Sequence, residues 1–386
     1  MTSPRKTVLA AALTVLAGLL SAAPARAQSD ILLQLRSGSP PGDRFRVDSA
    51  GGLVAIGTLT TGIIPATGCG FRMMWHPYKA AFRAGSPGDC SAARTEWDDV
   101  NVGQYSWAGG TGTIASQYGT FAFGDGAQAS GVDAAAIGFN NEARGTASFS
   151  AGASNHACGF ASVAIGFTST AGTLSGSSCA NGGAGQGAIA LGYRVTADAD
   201  YAVAIGQRAS ANGHSGAIVF GDESTTDSIQ AVANNEFAAR AAGGFRFRTN
   251  ATLTTGCNLP AGSGVFSCAS SRTLKNGFVP VDGETLLGRI RTVPVNTWSY
   301  NDEPGHVRHL GPFAEDFRAA FGLGTDDRSI GMLDIAGVDF AAVKALEART
   351  ADLQRQLQER DRRIDDLEAR LARLEAAVAA AKPAGN

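Results

Sequence analysis

Ser162-Val163-Ala164-Ile165-Gly166 and Ala202-Val203-Ala204-Ile205-Gly206 are near copies of one phrase, and the phrase keeps a fixed period. Its glycine recurs at Gly124, Gly138, Gly152 and Gly166, fourteen residues apart, then at Gly192, Gly206 and, with one residue more, Gly221. The step from Gly166 to Gly192 is one period plus a twelve-residue insertion that carries Cys179. Three and one residues before the glycine stand Phe121 and Phe123, Ala135 and Ile137, Phe149 and Ala151, Val163 and Ile165, Ile189 and Leu191, Val203 and Ile205, then Ile218 and Phe220. Five residues after it comes alanine (Ala129, Ala143, Ala157, Ala171, Ala197, Ala211), and seven after it glycine returns at Gly131, Gly145, Gly159 and Gly213.

Alternation over three residues places two side chains on one face of a short strand, and we expect the apolar pair to be the inner face. Small residues follow where the chain turns tightly, and glycine supplies positive φ there. One such coil cannot bury its apolar face alone, so coils stack and share a core. Two short strands per coil make a parallel β-roll, expected over residues 111–223. Asp125, Asp133, Glu142, Asp198, Asp200 and Asp222 fall at no single repeat position. They form no acidic stripe and read as solvated turn residues.

The register of these seven copies resembles the head repeats of trimeric autotransporter adhesins, over about residues 108–223. The resemblance implies left-handed rolls, three chains packed side by side as a homotrimer, and adhesin-like use. The outer-membrane barrel that closes those adhesins has no counterpart in this sequence, so a different mode of anchoring is expected.

Over the whole chain the composition is bland: net charge −2 and 17% charged residues, which offers no basic surface for nucleic acid. Arg5, Lys6, the apolar run Val8 to Leu20 and Ala25-Arg26-Ala27 have the pattern of a signal peptide, residues 1–27, and predict a secreted or cell-surface protein. Export permits disulfides. The six cysteines fall into sequence-local pairs, Cys69 with Cys90, Cys158 with Cys179 and Cys257 with Cys268, a pairing by proximity alone. No cysteine neighbours a histidine at zinc-ligand spacing, so no metal is expected, and no cofactor motif occurs. The aromatic segment Phe71 to Arg83, within an irregular cap at 28–110, is either packed core or a contact surface. In the neck, 224–269, a Cys257–Cys268 bond either pins the chain ahead of residue 270 or stiffens a hairpin.

A second stretch marks a seam. Ser270-Ser271-Arg272-Thr273-Leu274-Lys275 follows the last cysteine and opens a region of different composition. Val281-Asp282-Gly283, Val293-Pro294-Val295-Asn296-Thr297-Trp298-Ser299-Tyr300, His309-Leu310-Gly311-Pro312-Phe313-Ala314-Glu315-Asp316-Phe317 and Ala336-Gly337-Val338-Asp339-Phe340 come after it in that order. This ordered set resembles the C-terminal intramolecular chaperone family of endosialidase and other phage tailspikes. The resemblance implies self-cleavage between Ala269 and Ser270, with Ser270 as nucleophile and Lys275 as its base. The family commonly has aspartate where Ser271 stands and an acidic continuation where Asn276-Gly277 stands. Chemically, Ser270 lies on the leaving side of the bond, so its hydroxyl reaches the Ala269 carbonyl through a five-membered ring. A serine needs a base, and a lysine serves only when neutral. Residues five apart share no face of a helix or strand, so a turn or a neighbouring subunit must bring Lys275 to Ser270. His309 is either an oxyanion donor or a packed structural histidine.

The last segment carries a 3-4 apolar spacing: Val343, Leu346, Leu353, Leu357, Ile364, Leu367, Leu371, Leu374 and Val378, with Thr350 and Arg360 the only polar seam positions. This is a coiled-coil heptad, expected over 339–381 as a trimeric parallel coil after a chaperone domain at 270–338. The fold expected is mainly β with a C-terminal α portion. The function expected is an exported homotrimeric fibre, adhesin-like, with a single-turnover self-cleaving chaperone and a host-surface, glycan or protein ligand. The alternatives are a glycan-processing enzyme on such a trimer and a structural fibre whose chaperone stays attached.

Overall fold

The computed structural model describes residues 31–38 and 42–381, so the expected signal peptide lies outside the described residues. The chain is mainly β with a long C-terminal helix. It divides into two compact units, Met1–Ala269 and Ser270–Asn386.

In the first unit, Ile31–Ser37, Gly42–Asp48 and Leu53–Ala55 form a small antiparallel sheet. The body is an eleven-stranded sheet running from Arg72–His76 to Phe237–Ala239, and an eight-stranded sheet running from Ile114–Ala115 to Ile229–Gln230. Apart from the antiparallel Arg72–His76 and Ala81–Ser86 pair, neighbours are parallel and join residues one coil apart. Gly124, Gly138, Gly152, Gly166, Gly192, Gly206 and Gly221 lie on one line across the sheet, and Gly110 and Gly85 continue it upstream. The parallel ladder therefore extends past both ends of residues 111–223. An irregular spacing between Gly85 and Gly110 hides its first coil from a periodicity search.

Which face points inward differs from expectation. The residue two before each glycine is the inner one: Ala108, Ala122, Ala136, Ser150, Ala164, Ala190, Ala204 and Val219 are fully buried. They face the buried alanines of the second sheet, Ala115, Ala129, Ala143, Ala157, Ala171 and Ala197. The larger residues at three and one before the glycine point out, half exposed, with Phe123 at 47% and Ile165 at 38%. Alternation fixed which residues share a face. The coil interior is narrow and filled mostly by alanine, with Val195 and Val219 its larger residues, and that narrowness decides which face is inside. At the glycines a Cβ would collide with the next coil: at Gly152 (φ +113) it would sit 2.2 Å from the Gly166 carbonyl oxygen. Two residues on, non-glycine residues also take the left-handed conformation, at Asn140, Ser154, Thr168, Arg194 and Arg208.

The buried asparagines of the coil are hydrogen-bonded along the stack. The Asn155 side chain donates to the Asn141 side-chain oxygen, Ala151 O and Gly166 O, and its own oxygen accepts from Ser169 N. Arg83, in line with Ala108 and Ala122, closes the N-terminal end of the alanine column. Its guanidinium is fully buried and donates to Phe82 O, Ser106 O, Ser106 Oγ and Ala115 O. Burial pushes it down to about 10, so it remains a cation at neutral pH. The aromatic segment divides between core and surface: Met74, His76, Ala81 and Arg83 are buried, while Phe71 and Met73 are exposed.

The twelve-residue insertion makes a hairpin, Leu174–Ser175 against Ser178–Cys179. Disulfides join Cys69 to Cys90, Cys158 to Cys179 and Cys257 to Cys268. The last lies in an antiparallel sheet of Gly244–Arg248, Gly256–Pro260 and Ser267–Cys268.

The second unit contains helix α1 (Gly283–Ile290), a two-stranded ribbon of Asn296–Trp298 and His309–Gly311, helix α2 (Ala314–Phe321) and helix α3 (Met332–Ala381). Leu286, Phe317 and Val338 form its core, with Ile290, Phe321 and Ile335 packed around them. Helix α3 thus starts before residue 339, and its first turns belong to the globular core. No helix among the described residues is long and apolar enough to cross a membrane.

The alanine-wide interior makes a size prediction. Ala164→Leu should destabilise the first unit by about 1–3 kcal/mol, seen as a lowered melting temperature, because the added carbons have no space between coils. The same substitution at the outward Ala151 should have a much smaller effect.

Candidate functional site

Ser271 begins a single 3₁₀ turn, Arg272–Leu274, and caps it by accepting a hydrogen bond from Thr273 N at 3.3 Å. The turn folds the chain back, so that Lys275 Nζ donates to Ser270 Oγ at 2.7 Å. The two side chains thus meet within one chain, and both are exposed there. On the other side of the peptide bond, Ala269 N donates to Gly256 O at 2.9 Å, one residue beyond the Cys257–Cys268 bond. Serine at 271 performs the capping that an aspartate would perform there, which gives its presence a structural reason.

His309 is engaged elsewhere. Its Nε2 pairs with Glu303 Oε2 at 2.8 Å, and its ring stacks on Trp298 with Tyr300 edge-on. A cavity of about 560 Å³ in this unit is lined by Trp298, Tyr300, Phe313, Glu315 and Arg328, and by neither Ser270 nor Lys275. The apolar seam of α3 is unburied in the single chain: Val343, Leu346, Leu353, Leu357, Ile364, Leu367, Leu371, Leu374 and Val378 are 47–65% exposed. Thr350 returns its hydroxyl to Leu346 O, and Arg349 pairs with Glu284 of α1.

Residues 270–322 match the family described as chaperone of endosialidase. The match begins at Ser270 and ends before α3. No curated protein matches the chain.

A second cluster escaped the linear reading. Glu142 and His156 are register partners in adjacent coils, and His156 Nδ1 lies 3.1 Å from Glu142 Oε2, which also accepts from Cys179 N at 3.0 Å. Arg144 donates to Cys179 O and lies 3.7 Å from Glu142. Burial pushes the Glu142 carboxyl up, but the hydrogen bonds from His156 and Cys179 and the nearby charges of His156 and Arg144 outweigh it, so it sits below its usual range. Glu142, His156 and the Cys179 sulfur lie within 4.8 Å of one another, but that sulfur is bonded to Cys158 and offers no thiolate. Other acidic residues expected as solvated turns also tie coils together: Asp200 accepts from Gly185 N and Gln186 N, and Asp198 accepts from Gly213 N. At Asp222, hydrogen bonds from the Ala242 N–H, the Ser224 hydroxyl and the Arg240 guanidinium hold the carboxyl well below the carboxylate range. A comparison across the fourteen-residue register would have paired Glu142 with His156. Nothing in the repeat gives the position of Cys179, because it lies in the insertion.

The lowered Glu142 carboxyl carries a pH prediction. Its stabilising contribution is present above the unfolded carboxylate value of 4.5 and is lost as pH falls through the lower folded value. On acidification from pH 7 to pH 3, the melting temperature of the wild type should fall further than that of Glu142→Gln.

Proposed function

We propose that the chain is an exported homotrimeric β-roll fibre, adhesin-like in use, matured by its own C-terminal chaperone. The chaperone drives trimerisation and then cuts the Ala269–Ser270 bond. The observation that carries this is the hydrogen bond from Lys275 to Ser270, the first residue of the family match, at the boundary between the two compact units. Two apolar surfaces support the trimer: the half-exposed outer columns of the coils and the exposed heptad seam of α3. Three parallel copies of α3 bury that seam, and nucleation there starts three sets of coils in register.

The chemistry balances within the chain and one water. Lys275, in its neutral form, takes the proton of Ser270 Oγ as the oxygen adds to the Ala269 carbonyl carbon. The C–N bond of the tetrahedral adduct then breaks, the Ser270 nitrogen takes a proton, and an ester joins Ala269 to Ser270 Oγ. Water hydrolyses the ester to an Ala269 carboxylate and restores the hydroxyl. Ser270 and Lys275 are exposed in the single chain, and in the proposed trimer neighbouring chains enclose the pair. Cleavage then follows assembly.

Mass spectrometry of purified wild type, Ser270→Ala and Lys275→Ala tests this. Wild type should yield one fragment ending at Ala269 and one beginning at Ser270, and each variant should remain uncut, with rates reduced at least about 100-fold. An intact wild-type trimer would favour the attached-chaperone fibre instead.

A further inference from the structure

The insertion between Gly166 and Gly192 is the clearest break in the repeat, and it builds a concave site. Its hairpin is held to the coils by the Cys158–Cys179 bond, by Glu142 accepting from Cys179 N, and by Arg144 donating to Cys179 O. Beside it is a cleft of about 410 Å³, lined by Gln128, Asn140 and Ser154 of the coils, Ser177 and Ser178 of the hairpin, and the Glu142–His156 pair. That volume lies toward the lower end of the roughly 300–1,000 Å³ common for small-ligand sites.

The lining selects a ligand chemistry. Gln128, Asn140, Ser177 and Ser178 are exposed, and their side chains have unused donors and acceptors on amides and hydroxyls. The Glu142 carboxylate holds the Nδ1 side of His156, which leaves Nε2 as a further polar atom for a ligand. The lining contains no lysine or arginine, and Arg144 beside it donates to the Cys179 carbonyl, so no such cation lines the cleft to attract an anion. No Phe, Tyr or Trp side chain lines it, so the cleft offers no broad apolar face for a flat hydrophobic ligand. Amides and hydroxyls that both donate and accept match vicinal hydroxyl groups.

We propose that this cleft binds a neutral saccharide of one or two rings. Glu142 is the only carboxylate in the lining, so the pair of carboxylates used in glycoside hydrolysis is missing and the sugar is bound without being cut. The proposal rests on the reading of the first unit as the surface fibre and names its ligand class. It is independent of whether the Ala269–Ser270 bond is cut.

Saturation-transfer NMR on the full-length protein tests it. The probes are methyl glycosides of glucose, galactose, mannose, fucose, rhamnose, N-acetylglucosamine and N-acetylgalactosamine, the disaccharides lactose and chitobiose, and glucuronic acid. At least one neutral probe should receive saturation. Gln128→Ala combined with Asn140→Gly should weaken its binding at least about tenfold, the loss expected from one or two hydrogen bonds. Glycine suits position 140 because Asn140 has φ +49, and an unchanged melting temperature confirms the fold. The proposal is overturned if no neutral probe is saturated, if binding survives the double variant in a folded protein, if glucuronic acid is preferred, or if a disaccharide is cleaved. Fragment masses report the cleavage step separately, so either proposal can fail alone.

Discussion

The close approach of successive coils sets the terms for this protein. With residues one period apart hydrogen-bonded in register, the glycine line leaves no room for a Cβ, and the space between the two sheets admits alanine and little more. Such an interior buries little apolar area per coil. Alanine contributes much less than the roughly 1.5–3 kcal/mol of a buried leucine or phenylalanine. The large apolar side chains are outside. Hydrogen-bonded ladders, the buried asparagine line and the Arg83 plug hold the stack together, and the outer columns supply the area that association would bury.

That arrangement gives the C-terminal unit its significance. A parallel stack of identical coils is prone to slip by one repeat, and in the proposed trimer three such stacks must also align with one another. A helix whose seam is incomplete in one chain is suited to bring three chains together before the coils form. Its first turns pack on Leu286 and Phe317, so the helix and the small domain fold as one body. On the proposed mechanism, Ser270 and Lys275 convert completed assembly into a chemical event, and the disulfide-stapled unit is what remains.

The repeat period, the two-strand coil, the three local cysteine pairs and the long helix were legible because each leaves a regular mark on the sequence. The inner face was not. Val163-Ala164-Ile165 reads as apolar on both faces, and only the width of the interior decides that Ala164 is enclosed. The chemistry required either a turn or a neighbouring subunit to bring Lys275 to Ser270; the turn does so within one chain, and the capping by Ser271 is the local reason it forms. Glu142 reads as a solvated turn residue because acidic residues alone were compared across the register, and its partner in the next coil is a histidine, His156. The first and last coils were missed where the spacing of the repeat departs from fourteen.

The central claim is that cleavage at Ala269–Ser270 depends on trimer assembly. Native mass spectrometry along a refolding time course, at several protein concentrations, tests it most directly. Uncut monomers, then uncut trimers, then cut trimers should appear in that order, with an onset that moves earlier as concentration rises. Cut monomers preceding any trimer, at a rate independent of concentration, would contradict the claim.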